Sequence, residues 1–227
     1  MSRKTPLVWD SAGRPFSSTF NDIYFSQAGG LEESRYVFLE GNNLPDAWEG
    51  KETFVIGELG FGTGLNLLAV WEMLLTCKAP PTKLCYVSLE AYPLKREDIV
   101  RAHQAHPSLL PLAQQLCGVY PDAFKTLHTL QFESLHVTLV FEEAKRALAH
   151  FPEHVDAWFL DGFAPSKNPE MWEEELLSAV AARSHAGTTL ATFTAASHVR
   201  RTLTQLGFSV EKRKGFGTKR EMSIGRY

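Results

Sequence analysis

From residue 53 onward, apolar segments of strand length alternate with segments whose apolar residues recur at helical spacing. Strands are predicted at 53–59, 84–90, 137–141, 155–160 and 188–193, and helices at 65–77, 142–150, 170–183 and 197–206, with a mostly helical stretch at 94–132. Strands separated by helices form a parallel sheet that is covered on both faces. Two last strands, at 208–212 and 222–225, have no helix between them and predict an antiparallel edge hairpin. The alternation therefore predicts an α/β protein with a seven-stranded, mostly parallel sheet.

The first fifty residues do not follow this alternation. A turn at 11–13, an extended piece at 16–25 and a helix at 31–40 predict an N-terminal layer, residues 1–50, packed on a core of residues 51–227. The two parts are expected to form one structural domain. A chain of 227 residues buries enough surface to fold without a metal or a disulfide.

Several features predict a cytoplasmic protein that has no membrane partner. No stretch approaches the roughly 18 apolar residues of a membrane span. Residues 1–6 lack the apolar segment of a secretory signal, and the three cysteines have no C-x-x-C spacing, which favours reduced thiols. The pairs His103/His106 and His150/His154 have no third ligand nearby in sequence, so we predict surface histidines and no metal.

The net charge of −3 conceals a concentration of cations near the C-terminal end. Between residues 198 and 221, seven Lys and Arg side chains are opposed by two Glu, which gives this segment +5 and leaves −8 for the rest of the chain. A basic segment on an acidic body favours local contact with phosphates, because only the field near the contact matters. A solvated surface turn is the alternative interpretation.

A glycine-rich turn, E-L-G-F-G-T-G-L-N at 58–66, follows the first strand of the alternation. Ligands of open α/β sheets bind beyond the carboxyl ends of the strands, where glycines let them approach the backbone. A dinucleotide fold requires G-x-G-x-x-G, whereas the third glycine here comes one residue early. Glu58 favours a ligand with a positively charged amino group over a pyrophosphate. The pattern resembles the S-adenosylmethionine loop of class I methyltransferases, and a plain tight turn is the alternative. The candidate cofactor contacts in this loop are Glu58, Gly60, Phe61, Gly62, Thr63, Gly64 and Asn66.

Two further carboxylates follow predicted strands. Glu90 ends the second strand, where a carboxylate can accept two hydrogen bonds from the hydroxyls of a ribose. Glu142 and Glu143 follow the third strand, and one of them can accept a hydrogen bond from an adenine amino group. The alternatives are a solvated strand end for Glu90 and, for the pair, the first turn of a helix, where acids are favoured by the dipole.

The segment that says most about function is D-A-W-F-L-D-G-F-A-P-S-K-N-P at 156–169. A buried strand brings Asp161 to its carboxyl end, and Gly162 and Pro165 then turn the chain. A carboxylate there can bind an amine and orient its lone pair towards a methyl donor. Phe163 or Phe61 can place a ring near a cation. A turn-forming Asp-Gly pair is the alternative interpretation.

The chain resembles the methyltransferase domain of the MnmC/MnmD family, which modifies the wobble uridine of certain tRNAs. The matching segments are D-I-Y-F-S at 22–26, G-L-E-E-S-R-Y-V-F-L-E-G-N at 30–42, G-F-G-T-G-L-N at 60–66, D-A-W-F-L-D-G-F-A-P-S-K-N-P-E-M-W at 156–172, L-A-T-F-T at 190–194 and K-R-K-G-F-G-T-K-R-E-M at 212–222. The chain departs from the family pattern after the third strand, where the family pattern has Gly-Asp and this chain has Glu142-Glu143. By register, Glu143 takes the acidic role.

The resemblance implies a Rossmann-like class I methyltransferase that transfers a methyl group from S-adenosylmethionine to the exocyclic amine of 5-aminomethyl-(2-thio)uridine. It makes Asp161 the candidate catalytic residue and the tRNA anticodon loop the partner. The candidate substrate contacts are Phe163, Lys214, Phe216, Lys219 and Arg220. Bifunctional members continue into an FAD-dependent oxidoreductase domain, so FAD is expected only in such a fused or separate domain. A small-molecule amine methyltransferase and a catalytically silent RNA-binding domain remain the alternative functions.

Overall fold

The computed structural model describes residues 7–11, 13–25, 29–122 and 125–227. The N-terminal residues 1–6, Ala12 of the predicted turn and Ser26 of the first matching segment lie outside the described residues. The strands are β1 Leu7–Trp9, β2 Pro15–Ser17, β3 Asp22–Ile23, β4 Thr53–Leu59, β5 Lys83–Leu89, β6 Leu127–Phe132, β7 Leu135–Val140, β8 Val155–Leu160, β9 Ser184–Thr192, β10 Ser209–Lys214 and β11 Glu221–Arg226. The α-helices are α1 Gly30–Ser34, α2 Leu65–Thr76, α3 Arg96–His103, α4 Leu110–Val119, α5 Ala144–Ala147, α6 Glu174–Ala181 and α7 Ser197–Gln205.

Among the described residues, eight strands form the main sheet, in the order β10-β11-β9-β8-β4-β5-β7-β6. The five central strands are parallel, and β11 pairs antiparallel with both β9 and β10. The mostly parallel sheet and its antiparallel C-terminal hairpin are therefore confirmed. The predicted count of seven strands is one too low.

The additional strand is β6, which lies within the stretch that we predict to be mostly helical. Helices α3 and α4 do occupy the first part of that stretch, but β6 pairs antiparallel with β7 at the far edge of the sheet. Its residues alternate between exposed and half-buried, since an edge strand is covered on one side only. Glu133, at a φ of 43°, makes the two-residue turn into β7. That conformation carries no glycine signal in the sequence.

The N-terminal region consists of a small sheet and a helix. Strands β1, β2 and β3 form an antiparallel three-stranded sheet. Helix α1 continues through a wider π-helical turn, Arg35–Leu39, and a 3-10 turn, Glu40–Asn42. Buried residues on this helical segment, such as Leu31 and Phe38, belong to the same apolar cluster as α2.

Apolar side chains cover both faces of the main sheet, as expected for parallel strands. On one face, α2 and α4 pack on the sheet through a cluster that includes Leu68, Leu116 and Phe159. On the other face, α6 and α7 pack through a cluster that includes Trp158 and Leu177. Within the described ranges, no helix is both long enough and apolar enough to cross a membrane.

Candidate functional site

The order of the strands places one crevice between β4 and β8. The chain proceeds from β4 outwards through β5 and β7, and then returns to the other side of β4 as β8. In open α/β sheets, ligands bind at such a reversal, beyond the carboxyl ends of the strands. The glycine loop, residues 58–66, begins at the end of β4, and Asp161 directly follows the end of β8. The fold therefore brings the two main sequence predictions together.

A cavity of about 410 Å³ lies at this crevice. It is bounded by the glycine loop, the ends of β5 and β8, helix α1 and the segment after β3. The predicted site residues Gly60, Phe61, Gly62, Thr63, Asn66, Glu90, Asp161, Phe163 and Lys219 all line it.

The three glycines of the loop have backbone conformations that other residues rarely adopt. Their φ angles are 89° at Gly60, 53° at Gly62 and 76° at Gly64. A Cβ at Gly60 would lie 3.3 Å from the Cα of Gly162, and one at Gly64 would lie 2.8 Å from the ring of Phe61. Gly60 therefore lets the two chain segments of the crevice approach each other, and Gly64 leaves room for the Phe61 ring within the loop.

Glu90 and His103 fix the shape of the loop. The Glu90 carboxylate accepts hydrogen bonds from the backbone N–H groups of Gly62 and Tyr92, at 2.8 Å each. His103 lies 2.9 Å, through Nε2, from the carbonyl oxygen of Thr63. Burial lowers the pKa of His103 to about 4, so its ring is neutral at pH 7 and donates from Nε2. His103 is fully buried and His106 is buried as well, so the prediction of surface histidines is wrong for both.

Asp161 occupies the centre of the site. Its Oδ1 accepts a hydrogen bond from the N–H of Gly162 at 2.8 Å, and its Oδ2 accepts one from Asn66 Nδ2 at 2.9 Å. Burial raises the pKa of Asp161 to about 6, although these two donors and the charge of Lys219 act in the opposite direction. A carboxylate with this pKa is ionised at pH 7 and is a better proton acceptor than an ordinary aspartate.

Glu58 lies beneath the cavity rather than in it. Its side chain is fully buried, its Oε1 accepts a hydrogen bond from Asn66 Nδ2 at 2.9 Å, and its Oε2 is hydrogen-bonded to Ser88 Oγ at 2.5 Å. Glu58 does not belong to the cavity lining. The prediction that it contacts a ligand amino group directly therefore has no support in this geometry. Burial raises its pKa to about 8, so the carboxyl is mostly neutral at pH 7.

We expect that the Glu58→Gln variant gains stability relative to the wild type as the pH rises. Folded Glu58 keeps a proton up to about pH 8 that the unfolded chain releases near pH 4.5. The wild type therefore loses stability between these values, while glutamine has no proton to lose. The difference in the free energy of unfolding should grow by about 3 kcal/mol between pH 5.5 and 7.5. Urea unfolding at both pH values measures it, and a difference that does not change with pH would contradict the prediction.

Aromatic rings form one wall of the cavity. The ring of Phe163 stacks on Phe20 with centroids 4.7 Å apart, and its edge meets Tyr24 at 5.3 Å. Phe20 and Tyr24 come from the segments around β3, so the N-terminal region contributes directly to the cavity. A wall of this kind offers π-faces to a cation or to a base.

The basic residues predicted to contact a substrate are divided between the cavity and the surface. We call residues 212–220, which comprise the end of β10 and its connection to β11, the basic loop. Lys219 lines the cavity and is itself exposed; its Nζ lies 2.6 Å from Glu33 Oε1 and 5.0 Å from the centre of the Phe193 ring. Phe216 packs on Tyr36 with centroids 6.0 Å apart. Lys214 and Arg220 are exposed, and neither has an ion pair among the residues that the structure describes.

Part of the basic loop serves to attach it to the N-terminal helix. Arg213 pairs with Glu40 at 3.1 Å, and its guanidinium lies 4.4 Å from the centre of the Tyr36 ring. The Tyr36 hydroxyl donates to the carbonyl oxygen of Lys214 at 2.9 Å. The segment is thus neither a free cationic surface nor a plain solvated turn.

Glu143 is not brought to the cavity. It is exposed, precedes α5 as its N-cap residue and pairs with Arg146 at 3.2 Å, while its neighbour Ala144 lines the cavity. The hydrogen bond to an adenine amino group therefore stays a prediction. Sequence reasoning gave no role in the site to Phe20, Tyr24, Ser34 and His103. Tyr24 and Ser34 do lie in segments that match the family, whereas Phe20 and His103 lie outside them. Among the described residues, no group of three or more His, Cys, Asp or Glu side chains could hold a metal ion.

Comparison with known proteins places the chain among methyltransferases. The family model for S-adenosyl-L-methionine-dependent methyltransferases matches residues 107–227. Two curated relatives are described as tRNA 5-methylaminomethyl-2-thiouridine biosynthesis bifunctional protein MnmC. The one from Marinomonas sp. (strain MWYL1) is 48% identical over 96% of this chain and 33% of its own length. The one from Vibrio campbellii is 46% identical over 98% of this chain and 35% of its own length. The chain thus spans about a third of the length of these relatives.

Solved structures agree on the fold. The crystal structure of MNMC2 from Aquifex aeolicus has a TM-score of 0.77 and 22% identity, covering 98% of this chain and 70% of its own. Trm1 from Pyrococcus horikoshii, solved with S-adenosyl-L-methionine, has a TM-score of 0.51 and 11% identity, covering all of this chain and 60% of its own. These likenesses show the class I methyltransferase fold that the sequence predicts.

Proposed function

Because the chain belongs to the family of S-adenosyl-L-methionine-dependent methyltransferases, we propose that it methylates the exocyclic amine of 5-aminomethyl-(2-thio)uridine at the wobble position of tRNA. The observation that carries the proposal is the position of Asp161. Its carboxylate lines the same cavity as the glycine loop, at the reversal between β4 and β8. The relatives that are 46–48% identical are described as acting in 5-methylaminomethyl-2-thiouridine biosynthesis.

The residues of the cavity suit S-adenosylmethionine. The glycine loop would hold it along Gly60, Gly62 and Thr63, and each Glu90 oxygen retains a lone pair for a ribose hydroxyl. Asp161 and Glu33 make the other end of the cavity acidic, which favours a cationic ligand. The cofactor supplies a methyl group on a positively charged sulfur, which leaves as a neutral thioether.

The chain itself must bind the substrate amine and remove its proton. An alkyl ammonium has no lone pair, and its pKa is near ~10, as for lysine. Asp161 accepts a hydrogen bond from the amine and, with its pKa raised to about 6, can also take up the proton. Alignment in a closed site contributes further, because positioning alone lowers barriers by several kcal/mol.

The pH profile of the reaction should contain the titration of Asp161. Only the ionised carboxylate accepts the proton, so the activity due to Asp161 is lost as the pH falls through about 6. We expect the ratio of the wild-type rate to the Asp161→Asn rate to fall about tenfold between pH 7 and pH 5. The ratio cancels the titration of the substrate amine, which is common to both proteins. Single-turnover rates measure it, and a constant ratio would contradict the assignment.

The surface beside the cavity supports an RNA substrate. Strand β10 runs with the parallel strands, since it is antiparallel to β11 and β11 is antiparallel to β9. The basic loop therefore leaves β10 at the cavity edge of the sheet, with Lys214 and Arg220 exposed. A wobble base in an anticodon loop is splayed out, stacks on aromatic rings and is accompanied by phosphates. The aromatic wall and the exposed cations offer both kinds of contact.

We expect that the double variant Lys214→Glu, Arg220→Glu binds tRNA more weakly and with less salt dependence. If the two cations contact phosphates, the slope of log K against log salt should decrease by about 1.5, because fewer counterions are released. Affinity for S-adenosylhomocysteine should stay the same. The matched control is Lys78→Glu, Lys83→Glu, which has the same charge change at exposed positions near the amino end of β5. Equal effects of the two double variants would show that net charge, not the basic loop, determines binding.

The two alternative functions give different results in one assay. A small-molecule amine methyltransferase would methylate free 5-aminomethyluridine about as efficiently as tRNA. A silent RNA-binding domain would methylate neither. We expect kcat/KM for tRNA to exceed that for the free nucleoside by at least about 100-fold, since remote contacts contribute to the reaction. The relatives are described as bifunctional, and we propose a fused or separate FAD-dependent oxidoreductase as the protein partner.

A further inference from the structure

The side-chain amide of Asn66 lies between two carboxyl groups, those of Glu58 and Asp161. Its Nδ2 is 2.9 Å from Glu58 Oε1 and 2.9 Å from Asp161 Oδ2. An amide nitrogen carries two hydrogens, and these two contacts use both. Asn66 is 6% exposed. Asn66 therefore has no N–H group left to donate to a cofactor, although the sequence predicts it as one of the cofactor contacts.

Ser34 completes the hydrogen bonds of this amide. Its Oγ lies 2.5 Å from Asn66 Oδ1, which can only accept, so the hydroxyl donates. Ser34 is buried and lies on α1, in the N-terminal region. A flipped amide would turn its oxygen towards the ionised carboxylate of Asp161, which can only accept, and that hydrogen bond would be lost. Asp161 thus determines the orientation of the amide, and Ser34 stabilises it through the hydrogen bond to Asn66 Oδ1.

We propose that Asn66 and Ser34 are positioning residues that orient the Asp161 carboxylate and keep it ionised for methyl transfer. This inference rests on the proposed function, since it assigns a role in the same reaction. The hydrogen bond from Asn66 favours the charged form of Asp161 against the effect of burial. The hydrogen bond uses one lone pair of Asp161 Oδ2, so the second lone pair can accept a hydrogen bond from an amine. Helix α1 then contributes to catalysis through Ser34, because its packing against α2 places the Ser34 hydroxyl on the Asn66 amide.

The first test measures the titration of Asp161 directly, without any reaction. The 13C NMR signal of the Asp161 carboxyl is assigned by its loss in Asp161→Asn and followed from pH 4 to pH 9. In Asn66→Ala the pKa should rise by about one unit, because a donor to the ionised form is lost. In Ser34→Ala it should rise by a smaller amount, because the amide keeps its contact with Asp161 but loses the hydrogen bond that holds its oxygen. Thr188→Val is the control, since it removes a buried hydroxyl that donates to the carbonyl of Val155 at the opposite end of β8.

The second test compares reaction and cofactor binding in the same variants. Asn66→Ala should lower the single-turnover rate at pH 7 by about tenfold or more. Its affinity for S-adenosylhomocysteine should stay within about threefold of the wild type. An unchanged Asp161 titration in Asn66→Ala overturns the proposal. A large loss of cofactor affinity without that shift also overturns it and returns Asn66 to a cofactor-binding role. If the titration shifts but the wild type does not methylate tRNA, the proposed function fails and the positioning of the carboxylate stands.

Discussion

The Asp161→Asn variant should fold, bind S-adenosylhomocysteine nearly as well as the wild type, and lose most of its turnover. Both oxygens of Asp161 accept hydrogen bonds from N–H groups, so the amide of asparagine must turn its NH2 towards one of those donors. It also cannot take up a proton. Loss of a charge-assisted hydrogen bond costs about 1.5–3 kcal/mol, which corresponds to a roughly ten- to hundredfold slower reaction. Single-turnover methylation at saturating cofactor and tRNA isolates this step.

Asp156→Asn is the matched control for that experiment. Asp156 lies on the same strand, β8, and also accepts hydrogen bonds from a backbone N–H, that of Val55, and from a charged side chain, Lys51. It lies at the opposite end of the strand from the cavity. We expect the control to lose stability but not turnover. A rate for Asp161→Asn within about threefold of the wild type would remove Asp161 from the mechanism, because this difference is worth only about 0.65 kcal/mol.

The Gly62→Val variant should lose at least about 100-fold in affinity for S-adenosylmethionine, or roughly 2.7 kcal/mol. Gly62 lines the cavity at a φ of 53°, a conformation that a β-branched residue adopts only with strain. A Cβ there would lie 3.4 Å from the ring of Tyr24, and the further carbons of valine would enter the space for the ligand. The hydrogen bond from the Gly62 N–H to Glu90 would be disturbed as well. Isothermal titration calorimetry with S-adenosylhomocysteine measures the loss.

Gly50→Val separates occupation of the cavity from backbone strain. Gly50 has a φ of 72°, and an added Cβ would meet no atom within 4 Å. The variant should lose stability much as Gly62→Val does, yet bind the ligand normally. If Gly62→Val binds within about tenfold of the wild type, the glycine loop is not the cofactor site. Gly60→Val is less suitable, because its Cβ would press on the backbone at Gly162 and displace Asp161 too.

The sequence predicts most of the sheet because its central strands are buried on both faces. Segments such as β4 and β8 consist mainly of apolar residues with few polar interruptions, which hydrophobic pattern alone identifies. The edge strand β6 is not predicted, since its residues alternate weakly and follow several prolines that suggest broken helices. Its pairing depends on β7, which is a tertiary contact that a local pattern does not contain.

The same distinction applies to the site. Asp161 and the glycine loop are predictable because chemistry follows directly from residue type at a strand end. The burial of Glu58 is not predictable, because the sequence around an acidic residue before a glycine loop is the same whether its side chain faces the ligand or the core. Ser34 and His103 act through hydrogen bonds to residues 32 and 40 positions away in the chain. Only the folded arrangement shows those partners.

The most direct test is to incubate this chain with undermethylated tRNA and S-adenosylmethionine labelled in the methyl group, and then to analyse the nucleosides. We expect the label in 5-methylaminomethyl-(2-thio)uridine, at a rate that Asp161→Asn reduces about ten- to hundredfold and Asp156→Asn does not. Label in another nucleoside would contradict the proposed substrate. No label in tRNA, from a chain that binds S-adenosylhomocysteine and tRNA, would contradict the proposal that this cavity carries out methyl transfer to the wobble uridine.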